Sequence, residues 1–141
     1  MSPARAVAIA VVFAWLGMVL AISFLEAPLK FRAPNVTLQI GLGIGRLVFR
    51  ALNTFEVVLA VVILLTTIAR PPPAGVAAAL AVAFAMLALQ IGAVRPRLTR
   101  RSDQVLAGLE APRSRAHYVY VAFEVIKTVA LAASGILLLS N

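Results

Sequence analysis

Charged and turn-forming residues divide this chain into four long apolar stretches, at residues 6–24, 51–69, 74–94 and 118–139. Each holds about 19 to 22 residues, and at about 1.5 Å of rise per helical residue that length crosses the roughly 30 Å of hydrocarbon in a bilayer. The pattern predicts an all-α membrane protein, a single integral domain over residues 1–141 built as a four-transmembrane-helix bundle with short interfacial helices.

The breaks between stretches carry their own signals. Proline lacks a backbone donor and biases the residue before it away from helix, so Leu25-Glu26-Ala27-Pro28 predicts that the chain leaves the bilayer there. Pro34 and Asn35 mark a restart, and the apolar run from Val36 to Ile68 is too long for one perpendicular span. Residues 36–50, with Gly41, Gly43 and Gly45 followed by Arg46 and Arg50, therefore read as an interfacial segment before the second span. That glycine run is no phosphate loop, because the third glycine of G-x-G-x-x-G would fall on Arg46 and no strand precedes it; close helix packing or a hinge fits better. Arg70-Pro71-Pro72-Pro73 is short enough to make spans two and three an antiparallel hairpin of neighbours. Ala77, Ala81 and Ala85 predict a third helix that partners approach closely and that is the most buried of the four. Residues 104–110, bounded by Gly108 and Pro112, read as a short surface helix. The first stretch superficially resembles a signal peptide, but its apolar run exceeds the roughly 7 to 15 residues of a signal core and is expected to be retained.

Composition narrows the class further. A chain that is 62% hydrophobic with a mean hydropathy of +1.01 belongs in lipid. The absence of cysteine excludes disulfides, thiolate metal sites and thiol redox chemistry. A net charge of +8 would suggest nucleic acid in a soluble chain, but here the cations gather at the ends of spans. Lys30, Arg32, Arg46 and Arg50 lie between spans one and two; Arg95, Arg97, Arg100, Arg101, Arg113 and Arg115 lie between spans three and four. These are expected to meet anionic headgroups at the membrane surface, with no nucleic-acid partner. Only Arg5 and Arg70 lie at the opposite ends, so the positive-inside rule puts both long loops in the cytoplasm and both termini outside the inner membrane.

Ionisable groups inside a bilayer are costly and normally face the bundle interior, which makes them the best pointers to function. Glu26, Asn53, Glu56, Gln90, Tyr120, Glu124 and Lys127 fall at one depth, in the half nearer the basic loops. Helical spacing places Trp15, Val19, Ile22 and Glu26 on one face, and Tyr120, Glu124, Lys127, Leu131 and Ser134 on another. The layer reads either as ion pairs that hold the bundle in register, with three carboxylates meeting Lys127 and Arg50, or as the floor of a cytoplasm-facing pocket. The outer half offers only Thr66, Thr67, Ser134 and Ser140, a poor lining for an ion path. His117, the one histidine, reads as an interface anchor; Trp15 and the tyrosines read as packing or interface residues. No catalytic set and no metal-ligand set emerges, and the residues identify no cofactor.

Trp15-Leu16-Gly17, the exit from Phe24 to Phe31, Arg95-Pro96-Arg97 and His117 before an apolar, small-residue fourth helix together resemble the bacterial relatives of transmembrane protein 205. The family pattern has glutamate before Pro-Arg and glycine after the histidine, where this chain has Arg95 and Tyr118. The resemblance implies a four-helix bundle with an unsettled membrane role, and it offers no accepted catalytic residues to carry over. The resulting expectation is a non-enzymatic protein that binds or helps to move a small polar or amphiphilic ligand, as a homo-oligomer. The alternatives are an accessory subunit of a larger membrane complex, and an enzyme acting on a quinone or lipid with the carboxylates as acid and base.

Overall fold

A computed structural model describes residues 1–110 and 115–141. Four long helices account for nearly all of them: α1 (Pro3–Arg32), α2 (Leu38–Ala69), α3 (Ala74–Leu106) and α4 (Arg115–Ser140). The chain is thus an all-α four-helix bundle, and each helix is long and apolar enough to cross a membrane. At about 1.5 Å per residue, α1 to α3 reach roughly 45 to 50 Å and overrun the hydrocarbon core.

Neither Pro28 nor Pro96 ends its helix. Helical geometry passes through Pro28 to Arg32 and through Pro96 to Leu106. Before each proline the helix widens into π geometry, over Leu20–Glu26 and Gln90–Val94. In both places the residue just before the proline donates five residues back, Ala27 to the Ile22 carbonyl and Arg95 to the Gln90 carbonyl. In an ordinary α-helix the proline ring strikes the carbonyl four residues earlier, and the wider turn relieves that clash. Proline therefore extends these helices beyond the expected boundaries at 24 and 94. The separate interfacial helices also dissolve: residues 38–50 are the first turns of α2, and residues 104–106 end α3.

The ends are conventionally capped. Ser2 and Thr37 accept from the amides of Arg5 and Ile40, each at 3.2 Å. Asn35 turns the chain between α1 and α2 with φ 67°, a left-handed conformation that asparagine tolerates. Gly108, at φ 85°, closes α3: its amide donates to the Val105 carbonyl and that of Leu109 to the Gln104 carbonyl, the double reversal typical of a glycine stop. Pro112 and Arg113 lie outside the described residues. Arg5 reaches from the start of α1 to the Leu138 carbonyl, a cation at the negative end of α4.

Helix α4 packs on α1 and α3, and α1 packs on α2. The core between them contains Val12, Trp15, Val19, Ile63, Leu80 and Leu131. Helix α4, not α3, is the most buried, and Ala77, Ala81 and Ala85 face outward. Helices α2 and α3 are antiparallel but meet substantially only where α2 lies beside Arg95–Leu106; α2 makes little contact with Ala74–Leu89. Large apolar side chains such as Leu65, Ile68, Val129 and Ile136 are exposed on the outside, as lipid contact requires. With lipid as apolar as the interior, the bundle relies on tight packing and polar contacts. Two glycines serve this directly: a β-carbon at Gly41 would clash with the edge of the Phe31 ring, and one at Gly135 would lie 2.6 Å from Phe13 Cζ.

Candidate functional site

The expected polar layer separates into a closed cluster and an open cavity. In the cluster, Lys127 of α4 is fully buried. Its ammonium donates to Glu56 Oε2 of α2 at 2.5 Å and to Gln90 Oε1 of α3 at 2.9 Å, and pairs with Glu124 Oε1 at 2.6 Å. The ammonium thus has two hydrogen-bond acceptors and a third oxygen in ion-pair contact. Helix α1 supplies the rest: Trp15 Nε1 donates to Glu56 Oε2 and Ser23 Oγ donates to Glu124 Oε2, both at 2.7 Å. All four helices are tied at one depth. Glu56 Oε1 is the cluster's one carboxylate oxygen without a hydrogen-bond partner among the described residues.

Local geometry explains the membership. Glu124 and Lys127 are three residues apart on α4 and so share a face. Gln90 opens the π segment of α3, which turns its side chain inward beside them. Trp15 stacks on Phe84 with centroids 6.0 Å apart, locking the indole whose N–H meets Glu56. Glu26, expected on the Trp15 face, is carried off it by the π segment; it pairs with Lys30 at 3.8 Å and not with Lys127. Arg50 is exposed and takes no part in the cluster.

The cavity lies between this cluster and the loops, with a volume of about 780 Å³. Its wall includes Asn53 and Phe49 of α2, Arg95 and Ser102 of α3, and Tyr120 and Glu124 of α4. Five cations, Lys30, Arg46, Arg50, Arg95 and Arg101, line it against one acid, Glu124. The reading of all ten loop cations as membrane-surface groups therefore fails for two in particular. Lys30 keeps only 10% of its side chain exposed and sits 5.6 and 5.8 Å from the ring centres of Phe31 and Phe49. Arg95 places its guanidinium over the rings of Phe49 at 5.2 Å and Tyr120 at 4.8 Å. Rings hold a cation without occupying its N–H donors. Arg46 pairs with Asp103 at the rim, while Arg32, Arg97, Arg100 and Arg115 are exposed, as expected of surface groups. Arg113 lies outside the described residues.

Several buried polar atoms of this wall lack partners among the described residues: Arg95 Nε and Nη2, Asn53 Oδ1, Ser102 Oγ and the Tyr120 hydroxyl. They come from three helices and converge on one space, offering guanidinium and hydroxyl donors beside an amide acceptor. His117 also lines this space, with its ring edge-on to Tyr118 at 5.5 Å. Among the described residues no group of three or more histidines, aspartates or glutamates is placed to hold a metal ion.

Towards residues 70–73 polar groups are satisfied locally. Thr66, Thr67, Ser134 and Ser140 each donate to a carbonyl three or four residues earlier on their own helix. Sequence reasoning found Glu56, Gln90, Glu124 and Lys127, and placed Asn53 and Tyr120 at the right depth. It missed Ser23 and Trp15 as donors, and it missed Arg95 and Ser102 as cavity residues. Comparison of the chain with protein families, with curated proteins and with solved structures finds no match.

Proposed function

We propose that this multi-pass membrane protein binds a small anionic ligand in its loop-end cavity, as a binding or carrier protein without catalysis. Arg95 carries the reading: a half-buried arginine held by two rings, whose shielded Nε and Nη2 lack acceptors among the described residues, is poised for a carboxylate or phosphate. Leaving such donors unmatched in a low-dielectric site is costly, and an anion between Arg95, Ser102 and Tyr120 would satisfy them together. The carboxylates that could serve as acid and base are instead engaged by Lys127, Ser23 and Trp15. The cation-rich ends of α1 and α3 support placing the cavity on the cytoplasmic side, with both termini outside.

The test is mass spectrometry of small molecules extracted from the purified protein and from Arg95→Gln. A near-stoichiometric anion in the wild type that is lost in the variant is the expected result. No bound anion, or equal amounts in both, contradicts the reading. Reporter fusions after Gln104 and Asn141 test the orientation, expected inside and outside respectively; the reverse pattern would turn the cavity outward.

A further inference from the structure

Where α2 and α3 make little contact, a second hollow of about 350 Å³ opens along their flank. Val57, Val61 and Leu64 of α2 face Phe84, Ala88 and Gly92 of α3 across it, and every residue that lines it is apolar. Val57 and Ile91 line both this groove and the polar cavity, so the two spaces adjoin. From Val57 to Leu64, and from Ile91 back to Phe84, the groove follows seven residues of helix, about 10 Å at 1.5 Å per residue. A cation-lined chamber with unmatched donors thus continues into an apolar trough pointing towards the middle of the bilayer.

We infer that the ligand is an anionic amphiphile taken from the membrane itself, a phosphate-bearing lipid whose head lies beside Arg95 and whose chain lies between α2 and α3. The inference rests on the cavity being a ligand site, as proposed above, and adds the source and chemical class of the ligand. Charge complementarity selects the head: even with Lys30 paired to Glu26 and Arg46 to Asp103, the lining cations outnumber the carboxylates around them, which favours a phosphate over a zwitterion or a neutral hydroxyl. Continuity selects the tail, because a water-soluble anion would leave the adjoining groove unused. The gap between α2 and α3 gives a lateral path from the bilayer that bypasses the sealed Lys127 cluster.

The molecule contains its own reporter. Trp15 is the one tryptophan, and it stacks on Phe84, which lines the groove. A nitroxide on an acyl chain in the groove would lie one ring's width from the indole. The full chain is placed in phosphatidylcholine nanodiscs and titrated with phosphatidic acid or phosphatidylcholine carrying a nitroxide at mid-chain, while Trp15 fluorescence is followed. Labelled phosphatidic acid should quench saturably at fractions where labelled phosphatidylcholine quenches weakly and in proportion to its amount. Gly92→Leu should remove the saturable component: a β-carbon at Gly92 meets nothing within 4 Å, and leucine is the better helix former, so the variant fills the groove without unfolding the bundle. Arg95→Gln should remove it as well.

Glycerol phosphate, the head without a chain, separates the failures. If the two labelled lipids quench alike but glycerol phosphate binds in an Arg95-dependent way, the lipid inference is wrong and the cavity remains an anion site. If neither phosphate probe binds, both readings fall. Selective quenching that survives Gly92→Leu places the chain elsewhere and overturns the groove assignment.

Discussion

Lys127 and Arg95 are both cations drawn into the bundle, Arg95 nearer the loops, and they are treated in opposite ways. Lys127 has three oxygens around its ammonium, two as hydrogen-bond acceptors and one in an ion pair, from three side chains on three helices. Arg95 lies against the rings of Phe49 and Tyr120, which meet edge-on, and has two nitrogens with no acceptor among the described residues. A buried charge with its partners built in holds a fold together, and a buried charge without them is poised for something that arrives. That contrast assigns structure to the cluster and binding to the cavity.

Removing the centre of the cluster should have the largest effect. Lys127→Ala leaves Glu56 and Glu124 facing each other without a cation, and breaking a buried pair from one side costs about 3–5 kcal/mol. Thermal or denaturant unfolding in detergent should show that loss, and adding Glu124→Ala should recover part of it. Strictly additive losses would mean the two side chains are uncoupled and the cluster is not a unit. Trp15→Phe keeps the stack on Phe84 but removes the donor to Glu56. A hydrogen bond to a charged group is worth about 1.5–3 kcal/mol, so an intermediate loss is expected by the same assay. An unchanged midpoint would remove α1 from the cluster.

Accessibility sharpens the contrast without perturbing stability. The chain has no cysteine, so Ser102→Cys and Ser134→Cys are near-isosteric single probes in a silent background. Ser102 lines the cavity and should react with a charged thiol reagent, whereas Ser134, fully buried and bonded to its own helix, should not. Equal labelling of both would mean that water crosses the bundle and that a pore replaces the one-sided cavity.

The cluster was legible because its signals are local: a carboxylate or ammonium inside an apolar run demands a partner, and Glu124 and Lys127 share a face by spacing alone. Ser23 carried no comparable signal, since a serine in a helix can bond to its own backbone, as Ser134 does. The helix ends misled for a definable reason. The rule that proline stops a helix concerns α geometry, and the π segments before Pro28 and Pro96 remove the clash behind the rule. Extending α3 through Pro96 is also what brings Arg95 and Ser102 into the bundle. Arg95 therefore looked like a headgroup contact, because the rings that hold it come from α2 and α4, distant in sequence.

The most direct test unfolds Arg95→Met and Lys127→Met side by side and measures anion binding by each. Methionine fills similar space without charge, so Lys127→Met should lose about 3–5 kcal/mol of stability by stranding its carboxylates. Arg95→Met should stay within about 1 kcal/mol of the wild type, because the rings keep an apolar partner and no acceptor is orphaned, while ligand binding is lost. If Arg95→Met unfolds as readily as Lys127→Met and still binds the anion, the division between a structural cluster and a binding cavity is wrong.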